Sequence, residues 1–190
     1  ELYALSDWED PCFPDQPLLP SDRKTGQPSA NIEDVYIPAG GDVPDREVND
    51  KFGHKLDFLT EMRDWFGADR PEKSILVGDL NIAPREDDVW DHKKLLKVVS
   101  HTPVEVEHLA EMQDAGRWVD ITRRDIPDGR LYSWWSYRAK EWDTADKGRR
   151  LDHIWATPDI KNAAHGSRVP VRKLAQLLRP TPEPAPAAKA

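Results

Sequence analysis

Apolar residues recur along this chain in two rhythms. From Phe52 to Phe66 they fall at Leu56, Phe58, Leu59, Met62 and Phe66, the spacing of one buried helical face. Arg70-Pro71 breaks that helix. A second helix is predicted over Val104–Ala115, acidic early and followed by Gly116. Shorter runs read as strands. These are Val35-Tyr36-Ile37, closed by Pro38 and Gly40-Gly41, then Ile75-Leu76-Val77, stopping at Gly78, then aromatic Tyr132 to Tyr137, and alternating Arg150 to Ala156, ended by Pro158. Trp118-Val119-Asp120-Ile121 is a short strand or turn, and Leu95–Val99 an apolar patch in polar surroundings. Strands alternating with helices predict an α/β fold.

The two ends follow neither rhythm. Residues 1–33 are rich in Pro, Ser and Asp and read as irregular. Residues 170–190 run into a Pro/Ala-rich tail that reads as disordered. The 190 residues suffice for one domain with a real core. No apolar run is long enough to cross a membrane, and the first residues lack a basic start followed by an apolar stretch. The single cysteine, Cys12, excludes an internal disulfide framework and a cysteine zinc site. A cytoplasmic, membrane-free monomer is the expectation. The net charge of −8 argues against a broad polyanion-binding surface but leaves room for a local basic cleft.

Candidate chemistry concentrates in Gly78-Asp79-Leu80-Asn81-Ile82-Ala83-Pro84. On an extended segment, Asp79 and Asn81 share one face, and an acceptor and an amide held there suit a water, a metal or a phosphate. The same residues also form ordinary turns, because Asp and Asn satisfy local backbone groups. The histidines at 54, 92, 101 and 108 show no ligand spacing and read as structural or exposed.

Four segments taken together resemble the exonuclease III family, an Xth-type group of Mg-dependent abasic-site endonucleases and 3′-exonucleases. They are Val35-Tyr36-Ile37-Pro38-Ala39-Gly40, the Asp79 segment, Tyr132-Ser133-Trp134-Trp135-Ser136-Tyr137-Arg138, and Gly148-Arg149-Arg150-Leu151-Asp152-His153-Ile154-Trp155. The Lys51-Phe52 and Lys55-Leu56 helix is similar too. The resemblance spans residues 34–169 and implies a four-layer α/β sandwich, two packed mixed sheets with helices outside, here incomplete. It implies Mg²⁺, with Mn²⁺ as substitute, held by Asp79 and Asn81, and double-stranded DNA with abasic sites or 3′ ends as substrate, in base excision repair. Asp79 matches the base that activates water, Asn81 the amide that steadies the phosphate, Tyr36 the phenol near it, and Asp152 a supporting carboxylate. Trp134 and Trp135 match the pair lying against the abasic sugar. Arg138, Arg149 and Arg150 are candidate phosphate contacts, although Arg149-Arg150 also reads as a solvated charge cluster. Of the two tryptophans, one ring is expected in the core and one outside. Asp152 also reads as a buried structural carboxylate.

The chain departs from this family at both ends. The family's early metal-binding glutamate, in a Gln-Glu-x-Lys segment, has no counterpart in residues 1–33, and its late Ser-Asp-His is absent after Asp152-His153. Both ends are therefore expected to be non-family sequence from a truncated, frame-disrupted or degenerate gene. Two alternatives accompany the nuclease reading: an inactive remnant, and a phosphatase acting on small phosphoesters.

Overall fold

The computed structural model describes residues 31–136 and 146–161. Its longest helix, α1 (Asp50–Ala68), is capped by Asn49, whose side chain accepts from the Lys51 amide at 3.2 Å. Phe52, Leu56, Leu59, Met62 and Phe66 are buried along it. Each such side chain contributes about 1.5–3 kcal/mol relative to exposure. After β2 (Ser74–Asp79) comes a 3-10 turn (Glu86–Asp88) and the one-turn helix α2 (His92–Leu95). Helix α3 (Pro103–Gly116) starts in a capping box, Thr102 with Glu105, and packs against α1. Gly116 does not cap it as expected. Arg117 does so in a left-handed conformation (φ 55°), and Gly116 is the last helical residue, where an added Cβ would lie 2.2 Å from Trp118 Nε1.

One mixed sheet runs in the order β1-β2-β6-β3, with β1 at Asn31–Asp34, β6 at Asp152–Ala156 and β3 at Val119–Asp120. Strand β1 is parallel to β2, while β6 is antiparallel to both β2 and β3. A short helix α4 (Ile121–Asp125) follows β3 directly. Leu76 and Trp155 face each other in register and are buried in one core with the apolar faces of α1 and α3. The other sheet face carries Val77 beside Ile154, and Ile154 is 40% exposed.

Strands β4 (Trp134–Trp135) and β5 (Gly148–Arg149) form a separate antiparallel ribbon, joined through Arg149 to Val89. The α/β class holds. Of the expected second mixed sheet, the described residues contain only this antiparallel ribbon. The aromatic strand is shorter than expected, and Tyr137 lies outside the described residues.

The first strand also differs. Its ladder with β2 occupies Asn31–Asp34, so it starts inside the segment read as irregular, and Val35–Ile37 continue along β2 by single bonds. One central apolar residue, Ile32, gives β1 no pattern of its own, and its strand character comes from β2. The tail at 170–190 lies outside the described residues. No described helix is long and apolar enough to cross a membrane.

Candidate active site

Tyr36, Asp79, Asn81 and Asp152 lie where β2 ends beside the start of β6. Strand β2 runs past Gly78 to Asp79, which pairs in register with Asp152. Leu80 N–H extends the contact to Leu151 O at 2.8 Å. Gly78 is required there, since at φ +145° an added Cβ would lie 2.0 Å from Val35 O. That close approach lets Val35 and Ile37 donate to Val77 O and Asp79 O, at 2.9 and 3.1 Å. Tyr36, between them, is 65% exposed at the rim.

Asp79 and Asn81 do not share one extended face. Asn81 is left-handed (φ 53°), a conformation that Asn tolerates better than most residues. Its N–H donates to Asp79 Oδ1 and its Nδ2 to Ile37 O, both at 2.9 Å. The segment is therefore the local turn that the residues also allowed, with Asp79 aimed by its own neighbour. Burial pushes the Asp79 carboxyl above its ordinary range, and adjacent Asp152 adds to this, while the Asn81 amide and the Lys55 ammonium oppose it. Asp152 is exposed, not a buried structural carboxylate.

Ser133 ties the aromatic ribbon to these carboxylates. Its Oγ accepts from the Leu151 and Asp152 amides, each at 3.0 Å. Both tryptophans are half-buried, so neither is the core ring expected. Trp134 pairs with Arg149, whose guanidinium lies 5.7 Å from the ring centroid. Trp135 donates through Nε1 to Asp146 at 3.0 Å. Arg149 is held by Val99 O and Ser100 Oγ, at 3.0 and 2.7 Å. Arg138 lies outside the described residues.

Arg150 is neither a phosphate contact nor part of a solvated cluster. It is fully buried, donating to Asp88 and Asp120, and Arg123 shares Asp88 from the other side. His153 is buried as well, and its ring nitrogen Nε2 bonds Ile82 O at 2.9 Å. Burial, helped by Arg150, lowers its pKa to about 3. His101, also buried, bonds His92 at 2.9 Å, so two of the histidines without ligand spacing are neighbours.

Sequence reasoning missed Ser133, the Asp88 cluster and a buried Lys55–Glu105 pair. Thr102-x-x-Glu105 carried a readable capping-box signal, whereas the others depend on tertiary contacts. Among the described residues no group of three or more His, Cys, Asp or Glu could hold a metal ion. Glu33 and Asp34 sit beside Leu76 and Val77, short of Asp79. The donor set nonetheless suits a hydrated hard cation, which takes one or two carboxylates and keeps its waters. The mutual repulsion between Asp79 and Asp152 is what such a cation relieves.

Comparison with known proteins places these features. A sequence model described as the Endonuclease/Exonuclease/phosphatase family matches residues 25–173. An exodeoxyribonuclease of Bacillus subtilis is 35% identical over 94 residues, 49% of this chain and 36% of the relative. An AP endonuclease from Archaeoglobus fulgidus superposes with TM-score 0.62 at 26% identity, over 69% of this chain and 50% of that one. A Neisseria 3′ phosphatase bound to a product DNA hairpin superposes with TM-score 0.63 at 25% identity, over 80% and 57%. The chain thus spans 36% to 57% of the length of these relatives.

Proposed function

Since the chain belongs to the endonuclease/exonuclease/phosphatase family, matched over residues 25–173, we propose that it hydrolyses DNA phosphodiesters with a divalent cation, at abasic sites and 3′ ends, in base excision repair. The observation that carries this reading is the in-register pairing of Asp79 with Asp152 beside the exposed Tyr36. Asp79, Asn81 and Asp152 are the residues that would hold Mg²⁺, which when bound supplies charge neutralisation at the phosphate. The rest falls to the chain itself. Asp79, its affinity for protons raised by burial, accepts the proton of the attacking water. Tyr36 donates to a phosphoryl oxygen. Trp134 offers a flat surface to an extruded sugar, with the Arg149 guanidinium beside it for a flanking phosphate.

The test is nicking of an abasic-site duplex at saturating Mg²⁺. Asp79→Asn should lower cleavage by about 10²–10⁴, the range of general-base catalysis. Cleavage within tenfold of the parent would remove Asp79 from this role. A folded parent chain that leaves the duplex intact at saturating Mg²⁺ counts against the nuclease reading of this chain.

A further inference from the structure

Behind the Asp79 turn lies a buried ion pair that the proposed chemistry does not use. Lys55 of α1 and Glu105 of α3 have no exposed side-chain surface, and Nζ lies 2.6 Å from Oε1. Glu105 is saturated. Its carboxylate accepts from the Ser100 amide at 3.0 Å, the Thr102 amide at 3.1 Å and Thr102 Oγ1 at 2.6 Å. The same Ser100 holds Arg149 through its hydroxyl.

Lys55 reaches beyond its counter-ion. Nζ donates to Asn81 O at 2.9 Å and lies 3.5 Å from Ala39 O. Asn81 is thus held at three points, at its N–H by Asp79, at its side chain by Ile37 O, and at its carbonyl by Lys55. A left-handed non-glycine residue persists only where its surroundings over-determine it. The Asn81 N–H in turn directs the Asp79 carboxylate. A buried ammonium has three donors to satisfy, and here one of them is spent on the Asn81 carbonyl.

We propose that Lys55, seated by Glu105, is a positioning residue that holds the Asp79 carboxylate in place through the backbone of Asn81. The inference rests on the reading of Asp79 as the working carboxylate, but its test does not require turnover.

The variant is the double replacement Lys55→Met with Glu105→Gln in the full chain. Gln keeps the capping-box acceptor, and uncharged replacement of a buried pair is often neutral for stability. Amide hydrogen exchange followed by NMR should show Asn81 exchanging at least tenfold faster, with α1 and β6 keeping their protection. Mg²⁺ titration of the Asp79 to Asn81 amide resonances should show affinity reduced about threefold or more. If the parent cleaves DNA, kcat falls while KM holds. Unchanged Asn81 exchange in a folded double variant overturns the proposal. On the unaltered protein, coupling through the hydrogen bond from Lys55 Nζ to the Asn81 carbonyl carbon is expected. Its absence overturns the proposal even where the variant fails to fold. Loss of cleavage on Asp79→Asn, by contrast, bears only on the reading of Asp79 itself.

Discussion

Replacing Asp88 with Asn should be among the most damaging single changes in this protein, although Asp88 lies outside the proposed catalytic residues. Its side chain is completely buried between two guanidiniums that are 2% and 1% exposed. Arg150 reaches it through Nε at 2.9 Å and NH2 at 3.1 Å, Arg123 through Nε at 3.1 Å, and the Arg85 amide at 3.1 Å. Asp120 accepts from Arg150 NH1 at 2.8 Å. The cluster holds two positive and two negative charges, so Asn leaves one buried guanidinium uncompensated and turns an amide donor toward other donors. Breaking a buried pair in this way costs about 3–5 kcal/mol, against a total stability of about 5–15 kcal/mol for a domain. With a urea slope of about 2 kcal/mol per molar, the midpoint should fall by about 1.5–2.5 M. The control is Arg63→Gln, which removes a surface pair with Glu111 whose partners are 36% and 45% exposed, and whose loss should barely move the midpoint. Urea denaturation followed by tryptophan fluorescence reads both. An Asp88→Asn midpoint within about 0.5 M of the parent, at unchanged slope, would refute the reasoning.

Two further outcomes follow from the same geometry. His153 has a folded pKa of about 3, below the ordinary 6.5, so the unfolded chain takes up a proton that the folded chain refuses. Its contribution is complete above about pH 7 and is lost as pH falls through 6.5 toward 3, amounting to about 2 kcal/mol at pH 5. Urea midpoints measured in EDTA at pH 7.5 and 5 should therefore converge in His153→Asn relative to the parent, and equal acid sensitivity in the two proteins counts against it. Ser133→Ala deprives the Leu151 and Asp152 amides of their acceptor. It should cost about 1–2 kcal/mol, a melting temperature lower by about 2–8 °C, and weaken Mg²⁺ binding, whereas unchanged values in both assays would show that water replaces the hydroxyl fully.

The parts legible in the sequence were those whose pattern is complete within one segment. Helix α1 announced itself because Phe52, Leu56, Leu59, Met62 and Phe66 repeat at helical spacing and all enter one core. The gathering of Tyr36, Asp79 and Asp152 was legible because motif order carried it. What escaped depends on partners far along the chain. Strand β1 takes its identity from β2. The spacing of Asp79 and Asn81 suggested a shared face only if the backbone stayed extended. The turn to φ 53° is set by Ile37, Asp79 and Lys55, none of which a local pattern reveals.

Arg149 and Arg150 show the same dependence on distant partners at the site itself. They are identical in type and adjacent, yet one is half-buried at the rim over Trp134 and the other is sealed beside Asp88. Alternation along an extended segment separates them, but it does not say which goes inward. The decision belongs to Asp88, Asp120 and Arg123, which offer a charged socket on one side only. The strands here are short, with two residues each in β3, β4 and β5, too few for ladder bonds alone to fix side-chain direction. Buried charge supplies that direction instead, from the Asp88 cluster behind β6 and from Lys55–Glu105 behind the end of β2. Because an unpaired buried charge is so unfavourable, each cluster admits few arrangements. The site's geometry is therefore expected to fail through substitutions at buried residues remote from Asp79, as readily as through loss of Asp79.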